Sequence, residues 1–245
     1  MVERCDVLAV GAHPDDVEIG CGGTLARVAA TGRRVGILDL TAGELGTRGD
    51  AAGRAREAEV AARALGVAWR SCLSLADGSL SGDDESQCVA VVGALRVAAP
   101  RAILLPEPED PHPDHGEALA LLARASFLSG LARWHPELGP TQRPRLHLLY
   151  PGARQLPQPV VVVDVGAWYP AKRQALAAFT SQFEPSGGAA THLASGHFLA
   201  AVEGRDRACG NLIGCEVGEG FGVLGALPAD ELAWLLGGPR RGGLQ

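Results

Sequence analysis

Four short apolar runs, CDVLAVGA (5–12), RRVGILDLT (33–41), AWRSCLSL (68–75) and RAILLPE (101–107), alternate with helically patterned stretches at about 18–31, 51–65 and 84–98. Each run has strand length and is rich in Val, Ile and Leu, and the segments between them carry the 3.6-residue apolar spacing of a helix. That alternation constrains the fold more than any other feature. Parallel strands need a crossover connection, so strands separated by helices belong in a mostly parallel sheet covered by helices on both faces.

A further helix is expected at 116–132, after which the rhythm breaks. Pro-rich connectors, HPELGPTQRPR (135–145) and PGARQLPQPV (151–160), flank the strand-like LHLLY (146–150), and VVVVDVG (160–166) reads as another strand. Helices are expected near 168–180 and 197–209, with the glycine-rich EPSGGAATHLASG (184–196) between them as a surface loop or, alternatively, a lid. There are no internal repeats. The 245 residues suffice for one sizeable core. The reading is a single Rossmann-like α/β domain over 1–245, with a core at about 5–150 and an irregular C-terminal extension at about 151–245 that completes the sheet and the rim of the site.

A net charge of -6 argues against nucleic acid or an anionic membrane as partner, since both are bound through clustered Lys and Arg. No apolar stretch has membrane length, and MVERCDVLAV enters the first strand without the basic start and longer apolar core of a leader, so a cytoplasmic location is expected. The six cysteines form no CxxC, which speaks against a zinc knuckle or a disulfide framework and for small apolar packing residues.

In an open α/β sheet, ligands bind outside the carboxyl ends of the strands. His13, Asp15 and Asp16 follow the first strand, TAGELGTRGD (41–50) leaves the second, and EPEDPHPDHGEA (107–118) brings His112, Asp114 and His115 from the fourth. Taken alone, HPDD reads equally as a turn with a helix N-cap, and HPDH as a proline turn feeding a helix. Together they bring imidazoles and carboxylates from two strand ends to one rim, the donor types of a catalytic metal site with an open position. The glycines of GCGG do not make a dinucleotide turn, because His13 to Asp16 occupy its place and two carboxylates would repel a pyrophosphate; they read as close packing of helix on sheet.

AHPDDVEIGCGGTLA (12–26) with HPDH (112–115) resembles the LmbE-like, or PIG-L, family of zinc-dependent N-acetylglucosamine deacetylases. LTAGELGTRGD, RAREAEVAARALGV, FTSQF and LIGCEVGEGF extend the likeness over about 5–222, toward the branch that deacetylates N-acetylglucosaminyl-malate in bacillithiol biosynthesis. The resemblance implies His13, Asp16 and His115 as ligands of Zn2+, with Fe2+ as the alternative ion. It implies Asp15 as general base, a protonated His112 as the donor that stabilises the tetrahedral intermediate, and Asp114 as the residue that orients His112 and raises its pKa. Arg54 is implied as a substrate contact, a solvated helix arginine being the other reading. Glu44 and Arg48 read as partners of sugar hydroxyls or as a loop salt bridge, and His197 stands where some members place a tyrosine, with simple packing as the alternative. His135, His147 and His192 read as structural, and Glu219 as a substrate contact or part of a subunit interface.

Pro111 departs from the arginine that precedes HPDH in many bacillithiol-type members, so malate recognition would fall on Arg48, Arg54 or Arg143. The resemblance also implies a small amino-sugar glycoside as substrate and a homo-oligomer, trimeric or hexameric. Rival functions are a thiol S-conjugate amidase of the same family, a catalytically silent sugar-binding module and, more remotely, a nicotinamide oxidoreductase.

Overall fold

The structure, a computed structural model, describes residues 1–109, 111–152, 154–186 and 188–237, so the last eight positions of the expected domain lie outside the described residues. It is one α/β domain. Strands β1 (Val7–Gly11), β2 (Val35–Thr41), β3 (Trp69–Leu75), β4 (Ala102–Pro106), β5 (Leu146–Tyr150), β6 (Val161–Asp164) and β7 (Gly218–Val223) form a sheet in the order β3-β2-β1-β4-β5-β7-β6. The first five run parallel, and β7 pairs antiparallel with both β5 and β6.

Helices α1 (Asp16–Ala30), α2 (Ala51–Leu65), α3 (Glu85–Ala98), α4 (Pro113–Ser129), α5 (Tyr169–Ala178), α6 (Thr180–Phe183), α7 (Phe198–Leu212) and α8 (Ala229–Leu235) complete the chain, with short 3-10 turns at Pro136–Leu138 and Gly166–Trp168. Among the described residues no helix is long and apolar enough to cross a membrane.

The two-residue period of the strands sorts the core into two layers. Val7, Ala9, Ile37 and Leu104 pack toward α1, α2, α5 and α7, while Leu8, Val10, Leu38 and Ile103 pack toward α3 and α4. Burial of each such side chain stabilises by about 1.5–3 kcal/mol. β1 is buried along its whole length, which explains why it reads as a continuous apolar run rather than an alternating one.

β7 is the element that periodicity does not announce. GEGFGV carries three glycines and looks like a loop, yet a Cβ on Gly218 would lie 2.8 Å from the Val162 side chain, so the missing side chain is what lets β6 approach. The glycines of GCGG pack helix on sheet as expected: a side chain on Gly20 would overlap the ring of Tyr150, whose hydroxyl donates to Val10 O at 2.7 Å. All six cysteines are free thiols, but Cys72 is exposed rather than packed away.

α1 is kinked at Cys21, where φ is -145°. The Gly23 N–H and the Ile19 C=O, partners in a regular helix, are served there by Glu219 (3.0 Å) and Arg205 (2.6 Å). Lys172, fully buried, neutralises the arrangement, reaching Glu219 at 2.6 Å and Asp206 at 2.7 Å, while Arg205 holds the other oxygen of Asp206. Glu219 therefore belongs to the interior, not to a substrate contact or a subunit interface. Lys172→Met should cost about 3–5 kcal/mol by leaving buried carboxylates uncompensated. At about 2–4 °C per kcal/mol for a domain of this size, a thermal melt should fall by about 6–20 °C, and an unchanged Tm would refute the cluster's role.

Candidate active site

The chain leaves β1 at Gly11 and turns into α1 over Ala12 to Asp15. Asp15 has φ 125°, a backbone conformation that costs a non-glycine residue on the order of 1–3 kcal/mol. It occupies the N-cap of α1 but makes no side-chain cap bond, so the plain capping reading of HPDD does not account for it. Its carboxylate instead meets Arg54 Nη2 at 3.1 Å. Asp16 turns the other way: Oδ2 accepts from His13 N at 2.8 Å and lies 3.6 Å from His13 Nδ1, and Oδ1 lies 3.2 Å from His115 Nε2.

His112 and His115 arrive on the first turn of α4, whose strand β4 is hydrogen-bonded to β1. His112 is itself the N-cap, its Nδ1 accepting from Asp114 N at 3.3 Å, so the capping reading of HPDH holds alongside any chemistry. One ring nitrogen from each of His13, His112 and His115 lies within 4.8 Å of the others. Two donors each about 2.0–2.2 Å from one tetrahedral ion are about 3.3–3.6 Å apart. The separations of Asp16 Oδ1 from His115 (3.2 Å) and of Asp16 Oδ2 from His13 (3.6 Å) lie close to that spacing, each on its own carboxylate oxygen, and two imidazoles with one carboxylate are donor types that suit a divalent cation.

These residues line a cleft of about 600 Å³ together with Arg48, Arg54, Asp77, Arg154, Gln182 and His192. Arg54 is buried, not solvated: besides Asp15 it donates to Gln182 Oε1 at 2.9 Å and Gly43 O at 3.2 Å. Arg48, 5% exposed, spends one nitrogen on Glu184 O at 2.6 Å, while its Nε and Nη1 are buried without a partner among the described residues.

Burial pushes the Asp15 carboxyl up to about 6, with the neighbouring Asp16 charge adding to it and Arg54 opposing. Burial also works against charge on Asp16, but the imidazoles of His115 and His13 outweigh it and hold that carboxyl well below the usual range. Burial likewise opposes a charge on His13; hydrogen bonds to Asp114 and Asp16 prevail and raise it to about 11.

Several expectations need correction. The Asp114 carboxylate does not orient His112. It lies 3.4 Å from His13 Nε2 and accepts from Gly78 N (2.8 Å) and Leu80 N (3.3 Å). Burial and the charges of His13 and His115 outweigh those of Asp114 and Asp16 and lower the His112 pKa instead of raising it, while His112 Nδ1 accepts from Asp114 N. His197 is exposed at the start of α7 and does not line the cleft; His192 lines it, packed edge-on against Phe198. Glu44 is tied to the Asp77 N–H at 2.8 Å, and Arg143 lies over the Phe127 ring.

Asp77, Gln182 and Arg154 went unassigned. Asp77 was within reach of the strand-end rule, since it follows β3 directly, and Gln182 sits in FTSQF.

Known proteins bear on this geometry. The model of the family PIG-L, described as GlcNAc-PI de-N-acetylase, matches residues 8–126. The conserved protein TT1542 from Thermus thermophilus superposes with a TM-score of 0.82 at 35% identity, over 92% of this chain and 98% of that one. Diacetylchitobiose deacetylase of Thermococcus kodakarensis is 34% identical over 139 residues, 53% of this chain and 52% of its own length. The 1D-myo-inositol 2-acetamido-2-deoxy-alpha-D-glucopyranoside deacetylase of Streptomyces avermitilis is 31% identical over 166 residues, 54% of this chain and 56% of its own. The chain thus spans about half the length of these curated relatives. The family match begins in β1 and ends in α4, enclosing both His-Pro-Asp turns, so residues 8–126 are those of the PIG-L (GlcNAc-PI de-N-acetylase) model, and the fold as a whole is shared over nearly all of TT1542.

Proposed function

We propose that the chain is a metal-dependent hydrolase that removes the acetyl group from an N-acetylglucosamine conjugate, with His13, Asp16 and His115 holding zinc. One observation carries the reading: of two adjacent buried carboxylates, Asp16 faces two imidazoles while Asp15 is turned to Arg54 in the same cleft. A cation at that place would polarise the acetamide carbonyl and draw the pKa of a water toward about 7.

The remaining chemistry falls to the chain's own groups. Asp15, with its pKa near 6, is ionised at neutral pH yet basic enough to take a proton from the attacking water and return it to the departing amine. Arg54 orients it, and Gln182 orients Arg54. His112 supplies an Nε2–H donor for the developing oxyanion as a neutral imidazole, a contribution on the order of 2.7–4 kcal/mol for one such donor.

The aglycone we propose is malate. The relatives' names give an inositol glycoside and diacetylchitobiose, both neutral. In this cleft Arg48 presents two buried donors without a partner among the described residues, and Arg154 stands at the wall. Buried guanidinium donors favour a carboxylate, which takes two parallel hydrogen bonds.

The test is acetate release from N-acetylglucosaminyl-malate, the inositol glycoside and diacetylchitobiose, and amide cleavage of a bacillithiol S-conjugate, each with and without chelator. Chelator-sensitive acetate release, greatest on the malate glycoside, is the expected result. Preference for the neutral glycosides would overturn the aglycone, cleavage of the S-conjugate alone would establish the amidase, and binding without turnover by the zinc-loaded protein would overturn the hydrolase.

A further inference from the structure

His13 is gripped from behind. Its Nε2 lies 3.0 Å from Asp77 Oδ1 and 3.4 Å from Asp114 Oδ2, two carboxylates that come from different parts of the sheet. Asp77 leaves the carboxyl end of β3, and Asp114 sits in the first turn of α4. Both are buried, and both are anchored on their far side by backbone N–H groups: Leu45 N reaches Asp77 Oδ2 at 2.9 Å, and Gly78 N and Leu80 N reach Asp114.

A carboxylate flanked by N–H donors is ionised and can only accept, so the group facing it must be an N–H. That keeps a proton of His13 on Nε2 and makes Nδ1 the nitrogen that gives up its proton when a cation binds. Nδ1 is the nitrogen that lies beside Asp16 Oδ2.

We propose that Asp77, acting with Asp114, is a positioning residue: the two carboxylates lock the tautomer and ring orientation of His13 so that Nδ1 faces the cation held with Asp16 and His115. The proposal rests on the reading of His13 as a metal ligand. It also gives the loop after β2 a route to the metal, since Glu44 accepts from Asp77 N and Leu45 N donates to the Asp77 carboxylate. Carboxylates behind a ligating imidazole raise its basicity and fix its direction, and their loss typically weakens metal binding about 10–100-fold.

The experiment titrates the metal-free full chain with Zn2+ against a chromophoric chelator, reading affinity and stoichiometry without any turnover. Asp77→Ala should bind zinc about 10–100-fold more weakly than the parent while its metal-free melt stays close to the parent's. Because both carboxylates address one N–H, Asp114 retains part of the hold in that variant, and the double variant Asp77→Ala/Asp114→Ala should lose more than the two single losses combined. Asp77→Asn serves should the alanine variant fail to fold; its one oxygen cannot serve both His13 and Leu45, so it too should bind more weakly.

His115→Ala separates the two levels of the argument. If it binds zinc like the parent, the ligand reading fails; if it loses zinc while Asp77→Ala does not, the positioning role alone fails. A parental stoichiometry of two ions per chain, reduced to one in Asp77→Ala, would also overturn the proposal, since His13, Asp77 and Asp114 would then be ligands of a second cation.

Discussion

Asp15→Ala is expected to lower turnover by about 10²- to 10⁴-fold while the zinc content stays at one ion per chain, the signature of a lost general base and not of a lost ligand. The expectation follows from the direction of the side chain. Asp15 Oδ2 is held 3.1 Å from Arg54, whereas the oxygens of Asp16 face His13 and His115. The pH dependence has a definite sign. Burial raises the Asp15 pKa to about 6, and the base works only when ionised, so kcat/KM falls as pH drops through that value. A cation seated beside it favours the charged form, which moves the acid limb to or below pH 6 and never above it. Metal analysis and a pH–rate profile on the zinc-loaded protein check both statements. Turnover within tenfold of the parent would remove Asp15 from the base role, as would an acid limb above pH 7.

His115→Ala is expected to lose metal and activity together. A protein zinc site gains on the order of 10–16 kcal/mol from its ligands, and removing one of three leaves a two-donor site weakened by more than about a hundredfold. The contrast with Asp15→Ala is the useful part: one variant keeps the ion and loses rate, the other loses rate because it loses the ion. Elemental analysis after gel filtration reads the difference, and full occupancy in His115→Ala would show that the cation sits elsewhere in the cleft. Asp16 bears on the same measurement. The neighbouring imidazoles hold its carboxyl well below the usual range against the opposing effect of burial, so it is ionised throughout the working pH range.

The parallel half of the fold was legible because β1, β2 and β4 are buried on both faces and each crossover helix carries its own period. The antiparallel half was less so. VVVVDVG reads as a strand by composition, but its partner GEGFGV is a strand only because β6 and α7 close over glycines that, read along the chain, look like a turn. The kink of α1 was equally hidden, since the groups that serve its broken rung, Glu219 and Arg205, lie almost two hundred positions away.

The site divides along the same line. His13, Asp15, Asp16, His112 and His115 could be gathered at one rim because each lies at a strand end or on the turn that follows one, and all five line the cleft. Their pairings could not be read. Asp114 is next but one to His112 in the chain, so proximity along the sequence suggested that pair; α4 instead aims the Asp114 carboxylate across the rim to His13. Asp77 lies two strands from β1 in the sheet, and its contact with His13 is made by a loop reaching over β2. His197 and His192 exchanged places for a similar reason: helix α7 starts at Phe198 and leaves His197 in solvent, while the preceding loop folds His192 back over Phe198.

By itself the sequence determined which residues could do chemistry and at which edge they would meet, because strand period, crossover length and the carboxyl-end rule are local properties of the chain. The tertiary structure decided which carboxylate faces two imidazoles, which meets Arg54 and which stands behind His13. Those assignments depend on side-chain direction across neighbouring strands, set by the order β3-β2-β1-β4 and by the burial that raises one aspartate's pKa and, with its imidazole partners, lowers another's.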